Sequence, residues 1–450
     1  MQSTKLSRKT KIIYGAGDLG FSLTSTIVGA YFLFFLTDVV QLKPAVAGIA
    51  IFIGKTWDWF NDPLIGYISD RTRTRWGRRR PFLLFGAIPF ALAFVMMWYI
   101  PPFASTAALT IYYAVAYVVF DAAATFVYMP YFALTPELTD DYDERTALTS
   151  YRMFFSIFGS LLSFTLPLMI VGTFTPENAA RVVLMAVIFG ALSALPLWLV
   201  FFNTEERKEY AEQEKPKIIP SLRAAFSNRP FVFGAIIYLL TWICMDVIQA
   251  ILLFFIKYVL QMEGQSDLLM ALIFVTGIIA LPLWEYASRK LGKRKAYAFG
   301  VAFMAAVLLA LISMGPASPA AVIFALCVMA GIGVSAAHVL PWAILPDAIE
   351  WDEYQTGKRH EGVFYSLITL MKKVASSIAI PLTAIMLDVT NYVPNSAEQP
   401  ASALLGIRLL MGPIPAVMLM IGIVFAMRYP LDREEFSNVV RELEERRERA

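Results

Sequence analysis

The chain has 450 residues, a formal net charge of +3, 58% hydrophobic and 16% charged residues, and a mean hydropathy of +0.61. Soluble domains run nearer half apolar and a quarter charged, so the apolar excess is enough for many membrane spans of roughly 20 residues each. The near-neutral charge offers no basic surface to a nucleic acid, and Cys244 and Cys327, both in apolar runs, read as buried small side chains.

In chain order, hydropathy predicts about twelve spans, near residues 12–37, 43–68, 82–101, 105–135, 148–173, 180–202, 230–257, 266–286, 295–314, 319–345, 362–388 and 404–428. The runs are long and continuous rather than short and alternating, so an all-α integral membrane fold is expected and a β-barrel is not. The start "MQSTKLSRKTKIIYGAGDLG" has no short apolar core before a small-residue cleavage site. It is expected to lead from the cytoplasm into a retained first helix. A polar segment from Asn203 to Pro230 divides the spans six and six. The expected organisation is one bundle over 1–203, a cytoplasmic linker over 204–229, a second bundle over 230–428 and a charged, solvated tail helix over 429–450. Pairs such as Glu442 with Arg446 sit at i,i+4 in that tail.

Lysine and arginine concentrate after spans 2, 8 and 10, the last with Lys358 and Arg359, whereas "YIPPFASTAA" after span 3 and "MGPASPA" after span 9 carry no charge. The positive-inside rule then places both termini in the cytoplasm.

The stretch "KTWDWFNDPLIGYISDRTRTRWGRRRP" (55–81) sets two carboxylates, Asp58 and Asp62, inside an apolar run that ends in six arginines within ten residues. Four apart, they share one helix face with Asn61 alongside. Counted from Asp70 at ~1.5 Å per residue, they lie roughly 12 and 18 Å deep, near the middle of a ~30 Å hydrocarbon core. The pair must line a cavity, hold a cation, or meet a base such as Lys55 or one on another span. Hard oxygens suit sodium or a proton, and two close carboxylates push one pKa upward, which makes proton exchange feasible.

The two halves echo each other. "GRRRPFLLFG" after span 2 matches "GKRKAYAFG" after span 8, and "PYFALTPELTDDYDER" after span 4 matches "PWAILPDAIEWDEYQ" after span 10. A six-plus-six duplication rocking around a midplane site is transporter architecture. Other polar residues recur at helical spacing: Tyr14, Asp18, Ser22 and Ser25 on span 1; Asp121, Thr125 and Tyr128 on span 4; Thr369, Lys373 and Ser377 on span 11. Such stripes either glue helices together or line a site. Lys373 needs an anionic partner, which carboxylates of the first half supply. Asp18, Asp121 and His338 stand open between structural and functional roles, and Asp246 and Arg152 are further candidates. The basic loops anchor orientation. Arg71, Arg78, Arg79 and Arg294 facing Asp70, Glu137 and Asp347 are also expected to gate the cytoplasmic side.

"WDWFNDPLIGYISDRTRTRWGRRRP", "MPYFALTPELTDDYDERTALTSYR" and "LPDAIEWDEYQTGKRHEGVFYS" resemble the signatures of the glycoside–pentoside–hexuronide:cation symporter family, in the major facilitator superfamily. The resemblance covers essentially all spans. It implies the major facilitator fold and sugar uptake coupled to sodium or protons, with Asp58 and Asp62 carrying the cation and Asn61 and Thr125 nearby. Lys373 corresponds to the family's functional lysine in span 11. Melibiose-type members place aspartates on spans 1 and 4 against sugar hydroxyls; those positions are Ser22 and Tyr128 here, an aromatic further along span 4 becomes Phe132, and the span 10 tryptophan falls at His338. The cation half of the site is kept and the sugar half rewritten. A different glycoside, a pentose derivative or a hexuronide is expected, with a lysophospholipid as the alternative.

The substrate site is therefore expected to draw on Ser22, Asp121, Tyr128, Phe132, Arg152, His338, Thr369 and Lys373. No G-x-x-x-x-G-K loop occurs, so the gradient rather than ATP is expected to drive transport, and no cofactor beyond the coupling ion is expected. With no H-E-x-x-H or G-x-S-x-G element and two histidines, an enzyme is not expected. A sensor would need a large cytoplasmic output domain. The expected setting is the inner (cytoplasmic) membrane, as a multi-pass monomer among lipid, with a small-molecule substrate and no nucleic-acid partner.

Overall fold

The computed structural model describes residues 6–139, 141–206, 226–357, 361–431 and 433–449. Most of the expected linker, together with Lys358 and Arg359, lies outside the described residues. Apart from one isolated β-bridge, Thr74 with Gly77, every regular element among the described residues is helical. The first six long helices are α1 (Arg8–Phe34), α2 (Pro44–Arg71), α3 (Arg80–Trp98), α4 (Thr106–Ala133), α5 (Tyr142–Val171) and α6 (Ala179–Asn203). They are followed by α7 (Arg229–Phe254), α8 (Ser266–Leu291), α9 (Lys293–Leu311), α10 (Ala320–Thr356), α11 (Glu361–Val389), α12 (Ala401–Met411), α13 (Pro413–Met427) and α14 (Arg433–Arg449). Eleven helical spans among the described residues are long and apolar enough to cross a membrane. The long helix missing from that set is α2, whose 28 residues contain Lys55, Asp58 and Asp62.

Local sequence explains the boundaries. Ser7 caps α1 by accepting the Thr10 amide at 3.0 Å. Pro44, Pro81 and Pro230 occupy first turns, where a missing N–H costs nothing. α10 continues eleven residues past the expected end at 345, and the charged tail, exposed over most of its surface, docks one face. Val439 and Leu443 of α14 are buried, and Arg446 donates to the Tyr354 carbonyl of α10 at 2.9 Å and covers its ring.

Two compact units emerge, one of residues 1–213, 263–271 and 380–403, the other of 214–262, 272–379 and 404–450. In the first, α1 packs on α5 and α6, α2 on α4, and α3 on α4 and α6. In the second, α7 packs on α10 and α13, and α9 on α10 and α13. The pairings α3·α4, α3·α6 and α1·α6 thus recur as α9·α10, α9·α13 and α7·α13, as a duplicated module requires. Both units end their first helix alike: α1 runs into a π-helical turn, Phe35–Val39, before Gln41 at φ 64°, and α7 into Phe255–Leu260 before Gln261 at φ 56°. The residues match too, "FFLTDVVQ" against "FFIKYVLQ", 220 positions apart.

Candidate functional site

The carboxylates of α2 sit where that helix comes closest to α4. Gly54 permits the approach: a Cβ there would lie 2.4 Å from the Tyr117 Cβ. One turn on, Asp58 and Asp62 are half-buried. Thr125 of α4 donates its hydroxyl to Asp62 Oδ1 at 3.3 Å. Asn61, 3% exposed, donates Nδ2 to the Asp121 backbone carbonyl at 3.4 Å, which leaves its Oδ1 as an acceptor. Pro63, inside the helix, removes the amide that would have bonded the Trp59 carbonyl. The Asp62 carboxylate thus meets the Thr125 hydroxyl, with the Asn61 amide oxygen next to it in the chain and the Asp58 carboxylate one turn earlier, roughly 21–27 Å from the start of α2 and roughly 14–20 Å from its end at ~1.5 Å per residue. These are hard oxygen donors, the set that fits sodium or a proton. No group of three or more His, Cys, Asp or Glu converges among the described residues, as a transition-metal site needs.

The first-unit residues expected at the substrate divide into two kinds. Arg152 of α5 donates Nε to Asp18 Oδ2 at 3.3 Å and holds its guanidinium 4.5 Å from the Phe132 ring centre. Asp18 is 3% exposed, so this is a buried ion pair with one aromatic wall. Ser22 meets Ser156 hydroxyl to hydroxyl at 2.7 Å, joining α1 to α5. Tyr128 is different: 2% exposed, it packs among the rings of Phe21, Phe90, Tyr131 and Phe132. Asp121 is half-buried one turn before Thr125.

In the second unit, His338 of α10 is exposed. Its Nδ1 faces the Val334 carbonyl at 3.2 Å, and its ring lies 5.0 Å from that of Trp242. The stripe expected on α11 does not form one surface, because Thr369 is exposed, Lys373 half-buried and Ser377 fully buried. The neighbouring Lys372, which the i,i+4 reading passes over, places Nζ 3.5 Å from the Trp242 ring centre. Its signal is a longer repeat: "TSYRMFFS" at 149–156 and "TLMKKVAS" at 369–376 share Thr, a cation and Ser, with Arg152 and Lys372 220 positions apart.

The expected gating pairs form within units. Arg78 Nη2 donates to Glu137 Oε1 at 2.6 Å, Arg79 Nε to the same oxygen at 3.1 Å, and Arg79 also pairs with Asp70. The bond to Glu137 raises the Arg78 pKa above its ordinary value. In the second unit Lys293 pairs with Asp347, so the echoed loops repeat one geometry, each after a glycine at positive φ, Gly77 at 104° and Gly292 at 83°. Arg294 instead caps the last turn of α13 through the Ala426 and Met427 carbonyls, and Arg71 stacks over Tyr67. Glu206 went unforeseen. Its carboxylate accepts the backbone amides of Arg78, Arg79 and Arg80 at 2.6, 2.8 and 2.8 Å, at the positive end of the α3 dipole.

A sequence model of the MFS/sugar transport protein family matches residues 13–433. The chain belongs to that family. An uncharacterized symporter of Synechocystis is 31% identical, the match covering 100% of this chain and 98% of that one. A sodium-dependent lysophosphatidylcholine symporter of Danio rerio is 26% identical, covering 95% and 87%. Among solved structures, a D-xylose–proton symporter superposes with a TM-score of 0.67 over 94% of this chain and 97% of that one, at 17% identity, which speaks for the fold alone. Family, homologous symporters and eleven candidate spans together make this a multi-pass membrane transporter of the major facilitator superfamily.

Proposed function

We propose that this family member is a secondary active symporter that couples entry of sodium or a proton to uptake of a sugar or glycoside (glycoside, pentoside or hexuronide) by alternating access. It belongs on this reading with the glycoside–pentoside–hexuronide:cation symporters. The observation that carries it is the oxygen cluster of Asp58, Asp62, Asn61 and Thr125 deep in α2 and α4. A carboxylate at the centre of a span costs about 2.5–3.5 kcal/mol on insertion scales, so two on one face call for a cation to offset them. α2 is then a twelfth span, kept from the apolar set by the residues that do the coupling. The setting proposed is the inner membrane, with both termini cytoplasmic.

A second reading shares the mechanism and changes the cargo. Lysophosphatidylcholine symporters are relatives over nearly the whole chain, so a lysophospholipid substrate stands beside the sugar. Uptake into proteoliposomes tests both, using labelled glycosides, pentosides, hexuronides and lysophosphatidylcholine under an imposed sodium gradient and, separately, a proton gradient. Accumulation of one sugar with one ion is the expected result. Accumulation of the lysolipid alone replaces the cargo, and uptake indifferent to both gradients overturns the symporter.

A further inference from the structure

We infer that each unit carries an interfacial site for an anionic phospholipid, formed by Tyr67 and Arg71 at the end of α2 and by Tyr286 and Lys290 at the end of α8. The acyl chain lies along the apolar row that leads to each pair. The inference needs only that the chain spans a membrane, not the symporter reading.

Sequence supplies the first observation. "YISDR" at 67–71 and "YASRK" at 286–290 share a tyrosine, a serine and a closing cation. Phe60 and Leu64 precede the first pair at the spacings at which Ile279 and Leu283 precede the second, 219 positions on. Spacings of i, i+4, i+7 and i+11 put each set in one row along its helix. At about 100° per residue, the α2 row lies on the far side of that helix from Asp58 and Asp62, away from the oxygen cluster.

Structure supplies the second. Every member of both rows is exposed. From Phe60 to Arg71 the row runs about 16 Å at ~1.5 Å per residue, the depth of one leaflet of a ~30 Å hydrocarbon core. The Arg71 guanidinium lies 4.1 Å from the Tyr67 ring centre, and the Lys290 ammonium 5.9 Å from that of Tyr286. Stacking on the ring holds each cation at the helix end and uses none of its N–H donors. The nearby acids are engaged elsewhere, Asp70 with Arg79 and Glu285 with Arg289. Among the described residues Arg71 and Lys290 therefore enter no ion pair. The positive-inside rule asks for basic loops, but not for an apolar row of one leaflet's length that ends, twice, in a tyrosine-held cation. In a membrane chain acyl chains cover such a row, and a headgroup phosphate complements the cation at its end. A zwitterionic headgroup offsets that phosphate with its own ammonium, so charge complementarity favours a net anionic lipid. In the first unit the exposed Arg73 and Arg75, the latter 4.2 Å from the Trp76 ring centre, add to the positive field.

Native mass spectrometry of the purified full-length protein tests it, with dioleoyl phosphatidylglycerol and dioleoyl phosphatidylcholine offered in equal amounts. A cation near an anionic surface contributes about fivefold in partition, so phosphatidylglycerol should be retained at least that strongly over phosphatidylcholine, at two sites. Arg71→Gln and Lys290→Gln should each remove one retained lipid, and Lys290→Arg should keep both. The double variant should bring the two lipids within about twofold. Lys295→Gln removes an exposed cation of α9 that belongs to neither row and should leave both sites occupied. All of these side chains are exposed, so none of the substitutions opens the core. Equal retention of both lipids by the wild type overturns the inference. So does a selectivity that survives the double variant, or one that falls as far with Lys295→Gln as with Lys290→Gln.

Discussion

Glu206 offers a sharp energetic test, because one carboxylate accepts three consecutive amides at the start of α3. A hydrogen bond to a charged group contributes about 1.5–3 kcal/mol, and a helix N-terminus adds about 0.3–1 kcal/mol for a nearby anion. Glu206 is half-buried and the three bonds share one acceptor, so screening and non-additivity bring the total to roughly 2–4 kcal/mol. On the scale of domains of 150–250 residues, that is a fall in Tm of roughly 4–16 °C for Glu206→Ala. Glu206→Gln keeps a neutral acceptor and should lose about half as much. The assay is thermal unfolding in detergent followed by tryptophan fluorescence, with Trp76 beside the anchor and packed on Phe85 and Phe201. If both variants unfold within a degree of the wild type, the three-amide anchor does not hold α3 and the reasoning fails.

Gly77→Ala should damage the same anchor, since a Cβ there lies 2.5 Å from Glu206 Cδ at a φ of 104°; Gly292→Ala, at a φ of 83° with nothing within 4 Å, carries the backbone strain alone. The strain costs about 1–2 kcal/mol, so Gly77→Ala should unfold at the lower temperature of the two, and equal midpoints would contradict the clash. Glu137→Gln weakens the shared partner of Arg78 and Arg79 in a site 3% exposed, and should cost roughly 3–5 kcal/mol as a broken buried pair. Denaturant midpoints check that figure. Gly54→Val should push α2 off Tyr117 and separate Thr125 from Asp62; expected is loss of cation-dependent accumulation in protein that still folds, and unchanged coupling would show the approach to be unnecessary. Cys244 and Cys327 are 0% and 5% exposed, so a maleimide should label neither until the protein unfolds, and labelling at room temperature would count against the packing of α7 and α10.

Much of this was legible beforehand, for reasons specific to a membrane chain. Backbone groups in lipid must bond within their own helix, so apolar runs mark helices closely, and the structure places a long helix at each predicted span but the last, which is broken at Gly412 into α12 and α13. The carboxylates of α2 stand out in the sequence because charges inside an apolar run have few explanations, and the structure adds the Thr125 hydroxyl beside Asp62. Three other features were not. Glu206 reaches amides 126–128 residues away, and no local pattern encodes so distant a cap. Tyr128 sits at a position tied by resemblance to the sugar, yet its ring completes an aromatic core and is 2% exposed; sequence register does not report which way a ring packs. The contact of Lys372 with Trp242 was not legible because an i,i+4 stripe treats Thr369, Lys373 and Ser377 as one face, whereas Ser377 turns its hydroxyl back to the Val374 carbonyl. The repeat at 220 positions aligns Lys372 with Arg152, and the π-helical ends of α1 and α7 match in the same register.

The central claim is that Asp58 and Asp62 carry the coupling cation. Asp58→Asn and Asp62→Asn, each reconstituted beside the wild type, separate coupling from passage when gradient-driven accumulation and substrate exchange without a gradient are measured together. The account predicts that the wild type accumulates substrate with one of the two ions, while each variant loses accumulation and keeps exchange above empty liposomes. Accumulation against a gradient that survives both substitutions would contradict it and move the coupling site off α2.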